Sequence, residues 1–132
     1  MIYIIRGLPR SGKTTLAKQL APETTFEADD YFVGADGVYR FDPTKLSEAH
    51  AMCLKRFKDR VTSATSDRWN ICVANTFVKL EHMQPYIDIA KKYEFDYCVI
   101  ECKGHFKSVH PVPQHTIERM AREWEPYKSL PS

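Results

Sequence analysis

No stretch of this sequence stays apolar over the roughly 20 residues that a bilayer-spanning helix requires, which excludes an ordinary transmembrane helix. No signal-peptide pattern precedes the first strand-like run either, so the expectation is an intracellular, cytoplasmic chain with no membrane partner. Net charge is scant. The 19 basic and 17 acidic side chains leave only +2, and bulk electrostatics therefore argue for neither nucleic acid nor membrane. The four cysteines, Cys53, Cys72, Cys98 and Cys102, lack any CxxC spacing, and Cys102 has only His105 beside it as a further zinc ligand. Cys72 and Cys98 sit inside apolar runs and are expected as small, reduced core residues. Internal repeats and low-complexity tracts are absent as well, which removes solenoids and disordered segments from consideration.

What is present is an alternation of strand-like and helix-like segments. At 132 residues the length suits a single domain over 1–132, large enough to bury a real core. The alternation predicts an α/β fold with a small, mostly parallel sheet of about four strands flanked by helices. Strands are expected at 2–6, 25–28, 70–74 and 95–101. The last is near-continuously apolar and for that reason expected at the centre of the sheet. Helices are expected at 13–20, 79–93 and 113–124. Another runs from Asp42-Pro43, where Asp42 can cap and Pro43 suits the first helical position, to about residue 65. Its apolar face is Leu46, Cys53, Phe57, Val61 and Ala64, and that of the last helix is Ile117, Met120, Ala121 and Trp124. Lys55, Arg56, Lys58 and Arg60 read as a solvated face. Between the second strand and the long helix, aromatic arms around Asp36-Gly37 predict a small hairpin insertion.

The sequence Gly7-Leu8-Pro9-Arg10-Ser11-Gly12-Lys13-Thr14 is a complete phosphate-binding loop, set between a strand and a helix. At about 7% glycine a chance match is rare. Glycines let backbone N–H groups turn inward around a β-phosphate at the positive end of the following helix. Gly7, Pro9, Arg10, Ser11, Gly12, Lys13, Thr14 and Thr15 are thus expected to hold ATP. Lys13 would bridge β- and γ-phosphate oxygens, and the Thr14 hydroxyl would hold Mg²⁺. Phosphoryl transfer also needs a group to deprotonate the acceptor. Asp29 and Asp30 follow the second strand, at the carboxyl edge where open α/β sheets bind ligands. One of them is expected to face the phosphates, unless both merely cap the next turn. The third strand ends without an aspartate, so Asn75 or Thr76 would have to hold a metal-bound water.

These residues resemble one family. The loop, Ala28-Asp29-Asp30-Tyr31-Phe32, Asp36-Gly37, Tyr39, Phe41, Pro43, Leu46 and Glu48-Ala49-His50 are similar to the polynucleotide-kinase-like P-loop kinases. These include small phage ATP-binding proteins and the ATPase domain of Nedd-binding proteins. Asn75-Thr76, Met83-Gln84-Pro85-Tyr86, His110-Pro111-Val112-Pro113, Ile117 and Arg119-Met120 extend the match over most of the chain. The resemblance implies a P-loop NTPase fold with a reduced lid, with Asp29 as general base and Asn75 near the metal. Lys107 falls about where the family carries a lid arginine; Arg119 or Arg122 could stand in for it. Lysine lacks the arginine fork. Arg10 replaces the glycine usual within the loop, and Ala74 and Phe77 replace polar positions beside Asn75-Thr76.

Asp30, His50 and His110 are further substrate candidates, each histidine serving either the substrate or the structure. Tyr31, Phe32, Tyr39 and Phe41 offer either a stacking platform for a base or a packing cluster. The expected activity is ATP- and Mg²⁺-dependent transfer to a hydroxyl, the 5′-hydroxyl of a nucleic-acid end, by a monomer. Two alternatives remain open. One keeps the chemistry but transfers to a hydroxymethylated base, a nucleoside or a small metabolite. The other is a non-catalytic ATP-binding regulatory module.

Overall fold

The computed structural model describes residues 1–64, 69–104 and 112–127. Four strands, β1 (Ile2–Gly7), β2 (Thr25–Phe26), β3 (Ile71–Asn75) and β4 (Tyr97–Cys102), form one parallel sheet in the order β2-β3-β1-β4. The helices are α1 (Lys13–Leu20), α2 (Leu46–Ser63), α3 (Leu80–Lys92) and α4 (Gln114–Glu123). Among the described residues, no helix is long and apolar enough to cross a membrane.

Strand periodicity decides the layers. Ile2, Ile4, Ile71 and Val73 turn to one face, where they pack with Cys53, Phe57 and Val61 of α2 and Met83, Ile87 and Ala90 of α3. The intervening Ile5, Cys72 and Ala74 turn to the other face and meet Ala17 and Ala21 at α1. Because all four strands run parallel, their carboxyl ends lie along one edge of the sheet. That edge carries the loop after β1, the turn after β2, residues 76–78 after β3 and residues 103–104 after β4.

Several expectations need correction. β4 is an edge strand, pairing with β1 alone among the described residues. Its apolar run reflects partial packing on both faces: Tyr97 and Val99 pack toward the α2/α3 layer, and Ile100 and Cys102 toward α1. Cys98 is exposed there, whereas Cys53 and Cys72 are buried as expected. The Asp42 carboxylate does cap, accepting from the Thr44 N–H at 2.9 Å, but Pro43–Lys45 form a short 3₁₀ turn ahead of α2. Leu46 therefore starts α2 in an exposed position rather than on its apolar face. The hairpin shrinks to one antiparallel bridge, Val33 with Tyr39, closed around Gly37 at φ 77°. The stripe on α4 is only half-buried, and Ala121 is exposed.

Candidate active site

The loop after β1 is built as its sequence requires. Gly7 permits a close approach, since a Cβ there would lie 2.2 Å from Ser11 Oγ and 2.8 Å from the Cys102 carbonyl oxygen. Gly12 precedes α1 at φ 92°, a left-handed conformation that glycine adopts freely. Arg10 holds φ 71°, in the left-handed region that favours glycine, and so bears a steric cost there. Its side chain projects into solvent at the loop.

Lys13 Nζ donates to the Leu8 carbonyl at 3.0 Å and so lies across its own loop. Burial lowers its pKa, while the nearby Cys102, Glu27 and Asp29 work in the opposite direction. The Ser11 hydroxyl is buried and has no hydrogen-bond partner among the described residues. A buried donor without an acceptor is costly. A phosphate oxygen would supply that acceptor, so the residues present fit a nucleotide. Beside the loop, on the β4 side, lies a cavity of about 300 Å³ lined by Leu8, Pro9, Ser11, Cys102, Ile117 and Trp124. Its walls are mainly apolar, the usual character of a small-molecule site.

On the opposite side, the 3₁₀ turn Ala28–Phe32 follows β2 and carries both aspartates. Asp29 is exposed, and the Tyr39 hydroxyl donates to its Oδ1 at 3.1 Å. Burial and the adjoining Asp29 carboxylate push the Tyr39 pKa up, so the phenol keeps its proton and stays a donor. Asp30 is turned back onto its own helix start, accepting from the Glu27 N–H at 3.3 Å in a capping box. Burial raises its pKa, partly offset by that backbone bond and by Arg56 and Lys18. The two aspartates thereby part: Asp30 caps, and Asp29 stays exposed with the Tyr39 hydroxyl on its carboxylate.

Asn75, expected near a metal, is buried with both amide atoms engaged. Its Oδ1 accepts from the Ala28 N–H at 2.8 Å, and its Nδ2 donates to Cys53 Sγ at 3.6 Å. The Thr14 hydroxyl meets a carboxylate that sequence reasoning passed over, donating to Glu27 Oε1 at 2.5 Å. Burial raises the Glu27 pKa, with Asp30 and Asp29 adding to the rise. Thr15, the third residue of α1, is exposed. His50 stands exposed on α2; partial desolvation and His82 lower its pKa against an opposing pull from Asp29. Lys107 and His110 lie outside the described residues; Arg119 and Arg122 are exposed on α4.

The aromatic residues after β2 form a packing cluster. Tyr31, Tyr39 and Phe41 each set an edge against the buried Phe32 ring, at centroid distances of 5.4, 6.1 and 5.1 Å. Arg6 is the other residue that sequence reasoning missed. Fully buried at the end of β1, it donates to the carbonyls of Phe77, Val78 and Glu125 and to Glu101 Oε1. Its guanidinium also stacks on Trp124 at 3.9 Å. Phe77 turns its carbonyl to this group from a left-handed conformation, φ 48°. Arg6 thereby fixes the β3 loop, β4 and the segment after α4 against the strand that enters the phosphate loop.

A family model described as an AAA domain matches residues 2–105. Human NEDD4-binding protein 2 is 28% identical over 144 residues, covering 99% of this chain but only 8% of that protein. Among solved structures, the Pnkp1/Rnl/Hen1 RNA repair complex aligns with a TM-score of 0.65 at 17% identity, covering 92% of this chain and 43% of that one. Chaetomium thermophilum Kti12 in complex with ADP-AlF3 aligns at 0.63 and 16% identity, covering 96% and 81%. A gluconokinase from Sinorhizobium meliloti 1021 aligns at 0.59 and 13% identity, covering 94% and 74%. The four-stranded parallel sheet flanked by helices is the fold these proteins share with this chain.

Proposed function

The chain belongs to the AAA domain family, and from that premise we propose that it is an ATP-dependent kinase acting on the 5′-hydroxyl of a polynucleotide. The observation that carries this reading is the shared edge of the sheet: the phosphate loop after β1, whose buried Ser11 hydroxyl has no partner among the described residues, and Asp29 in the turn after β2 both follow the carboxyl ends of parallel strands. Lys13, the loop lysine that would grip the phosphates, opens α1 on that edge, and the Asp29 carboxylate there is exposed. The polynucleotide acceptor draws support from the sequence resemblance and from the likeness to an RNA repair complex. The gluconokinase and the ADP-AlF3 complex of Kti12 support nucleotide-dependent transfer more generally.

In this reading the acceptor hydroxyl gives its proton to Asp29 as its oxygen attacks the γ-phosphorus of ATP. The bond from the γ-phosphorus to the bridging oxygen breaks, and ADP leaves with that electron pair. Tyr39 holds the Asp29 carboxylate in place through its hydroxyl. Lys13 and the loop N–H groups orient the phosphates and offset their charge. Mg²⁺, held at the Thr14 hydroxyl, would supply further neutralisation of the triphosphate.

The test is transfer of labelled γ-phosphate to 5′-hydroxyl DNA and RNA, hydroxymethyl-base DNA, nucleosides and small polyols. Asp29→Asn should retain nucleotide affinity and lose roughly 10²–10⁴ of the rate. Equal turnover by that variant removes Asp29 from the mechanism. A second reading, a nucleotide-binding module without turnover, is favoured by one observation, the engagement of both Asn75 amide atoms away from the loop. ATP binding with no transfer to any acceptor would select it.

A further inference from the structure

We propose that Glu27 is the carboxylate that positions the metal ion of this site, in the role for which the third strand has no acidic group. The inference rests on the phosphotransferase reading and deepens it.

A nucleotide-bound Mg²⁺ keeps several waters and takes few protein ligands, so it relies on a nearby carboxylate to orient those waters. In P-loop proteins the loop Ser/Thr hydroxyl and an acidic group share that task. Here the end of β3 offers no carboxylate. Ala74 is buried and apolar, and the Asn75 amide is engaged by the Ala28 N–H and by Cys53. Glu27 approaches from the neighbouring strand instead. It follows β2 directly, is half-buried, and brings Oε1 to 2.5 Å from the Thr14 hydroxyl.

Its position is fixed from both ends. The Asp30 N–H donates to the Glu27 side chain and the Asp30 side chain accepts from the Glu27 N–H, as the two arms of one capping box. Glu27 therefore joins the loop threonine to the turn that carries Asp29. Exposed surface carboxylates have no such constraint, and long side chains seldom accept the loss of rotamer freedom without return. One carboxylate beside the Thr14 hydroxyl also brings negative charge toward the place where a triphosphate would lie. That arrangement disfavours a bare nucleotide and favours one that arrives with a cation. Glu27 acts through the metal and its waters, and it is a positioning residue.

The experiment uses the full chain with ADP, which prevents turnover. ADP affinity is measured by calorimetry in EDTA. The Mn²⁺ concentration that half-saturates the ADP complex is measured by electron paramagnetic resonance. Glu27→Gln keeps the shape and the bond from Thr14, and its folding is checked by thermal denaturation without metal. The expected result is an opposed pair of changes: ADP affinity in EDTA unchanged or tighter, and a half-saturating Mn²⁺ concentration raised about tenfold or more. A merely structural role would weaken both together, and that result overturns the proposal. So does a Mn²⁺ midpoint shifted less than about threefold, or wild-type ADP binding that is indifferent to metal. Failure of the wild-type chain to bind ADP at all would remove the phosphotransferase reading too.

Discussion

Replacing Arg6 by alanine should be among the most damaging single changes in the chain. The guanidinium is fully buried and paired with Glu101, itself 21% exposed, at 3.0 Å. Removing it strands a partly buried carboxylate and leaves the carbonyls of Phe77, Val78 and Glu125 without this donor. It also deprives Trp124 of its stacking partner. Deleting one member of a buried ion pair costs about 3–5 kcal/mol. At about 4 °C per kcal/mol for a domain of this size, the expected fall in Tm is about 12–20 °C. The urea midpoint should fall by about 2 M, taking an m-value near 2 kcal/mol/M. Circular dichroism would follow the global transition. Trp124 fluorescence, in a Trp69→Phe background, would report release of the segment after α4, because these are the two tryptophans in the sequence. Arg6→Lys should fall between the two, since one ammonium cannot reproduce the planar fork. A loss below about 1 kcal/mol for Arg6→Ala would refute this reasoning, because those acceptors would then have to be satisfied equally well without the arginine.

Tyr39→Phe removes one hydrogen bond to Asp29 and should lower kcat by about fivefold, corresponding to roughly 1 kcal/mol, with KM for ATP unchanged. An unaltered kcat would detach Tyr39 from the site. Lys13→Ala should abolish most of the nucleotide affinity in calorimetry without lowering Tm, and retained affinity would count against the loop assignment. For Cys72, burial pushes the thiol from 9.0 up to about 11. The unfolded chain then loses its proton first as pH rises, so the contribution to stability is complete below pH 9 and is lost as pH approaches 11. Urea titrations across that window should show a decline that Cys72→Ala flattens. A thiol reagent at pH 8 should label Cys98 rapidly and reach Cys53 and Cys72 only on unfolding.

The phosphate loop, the α/β alternation and the placement of α1 could be read from the sequence because each is a local pattern. Gly7 to Thr14 fixes its own conformation within eight residues, and the periodicity from Asp42-Pro43 to about residue 65 and over 79–93 identifies helices without reference to the rest of the chain. The edge position of β4 is not legible in its sequence, because an apolar run reports packing on a strand's faces and carries no information about its neighbours. Arg6 was invisible for a related reason: its partners Glu101 and Glu125 lie 95 and 119 residues away. Nothing beside Arg6 in the sequence distinguishes it from a surface arginine at a strand end. Glu27 could have been suspected, as the acid immediately before the Ala-Asp-Asp segment. The aspartates are the stronger signal, because they follow a strand at the carboxyl edge where open α/β sheets bind ligands. Asn75 drew notice as a substitute for an acid, yet the structure gives it tasks that only three-dimensional proximity reveals. Its amide reaches a backbone N–H 47 residues away and a thiol 22 residues away.

That last contact has a consequence for how this edge of the sheet can vary. On the β2 side of β3, Thr25 and Phe26 alone form ladder pairs among the described residues, and beyond them the link is supplied by a side chain, Asn75 Oδ1 receiving the Ala28 N–H. Ordinary ladder rungs are written in the peptide backbone and persist through almost any substitution. This one is written in a single codon. Mutation at position 75 can therefore loosen, shift or re-angle the segment that bears Asp29 while the remainder of the sheet keeps its register, which makes this position a tuning point for laboratory evolution.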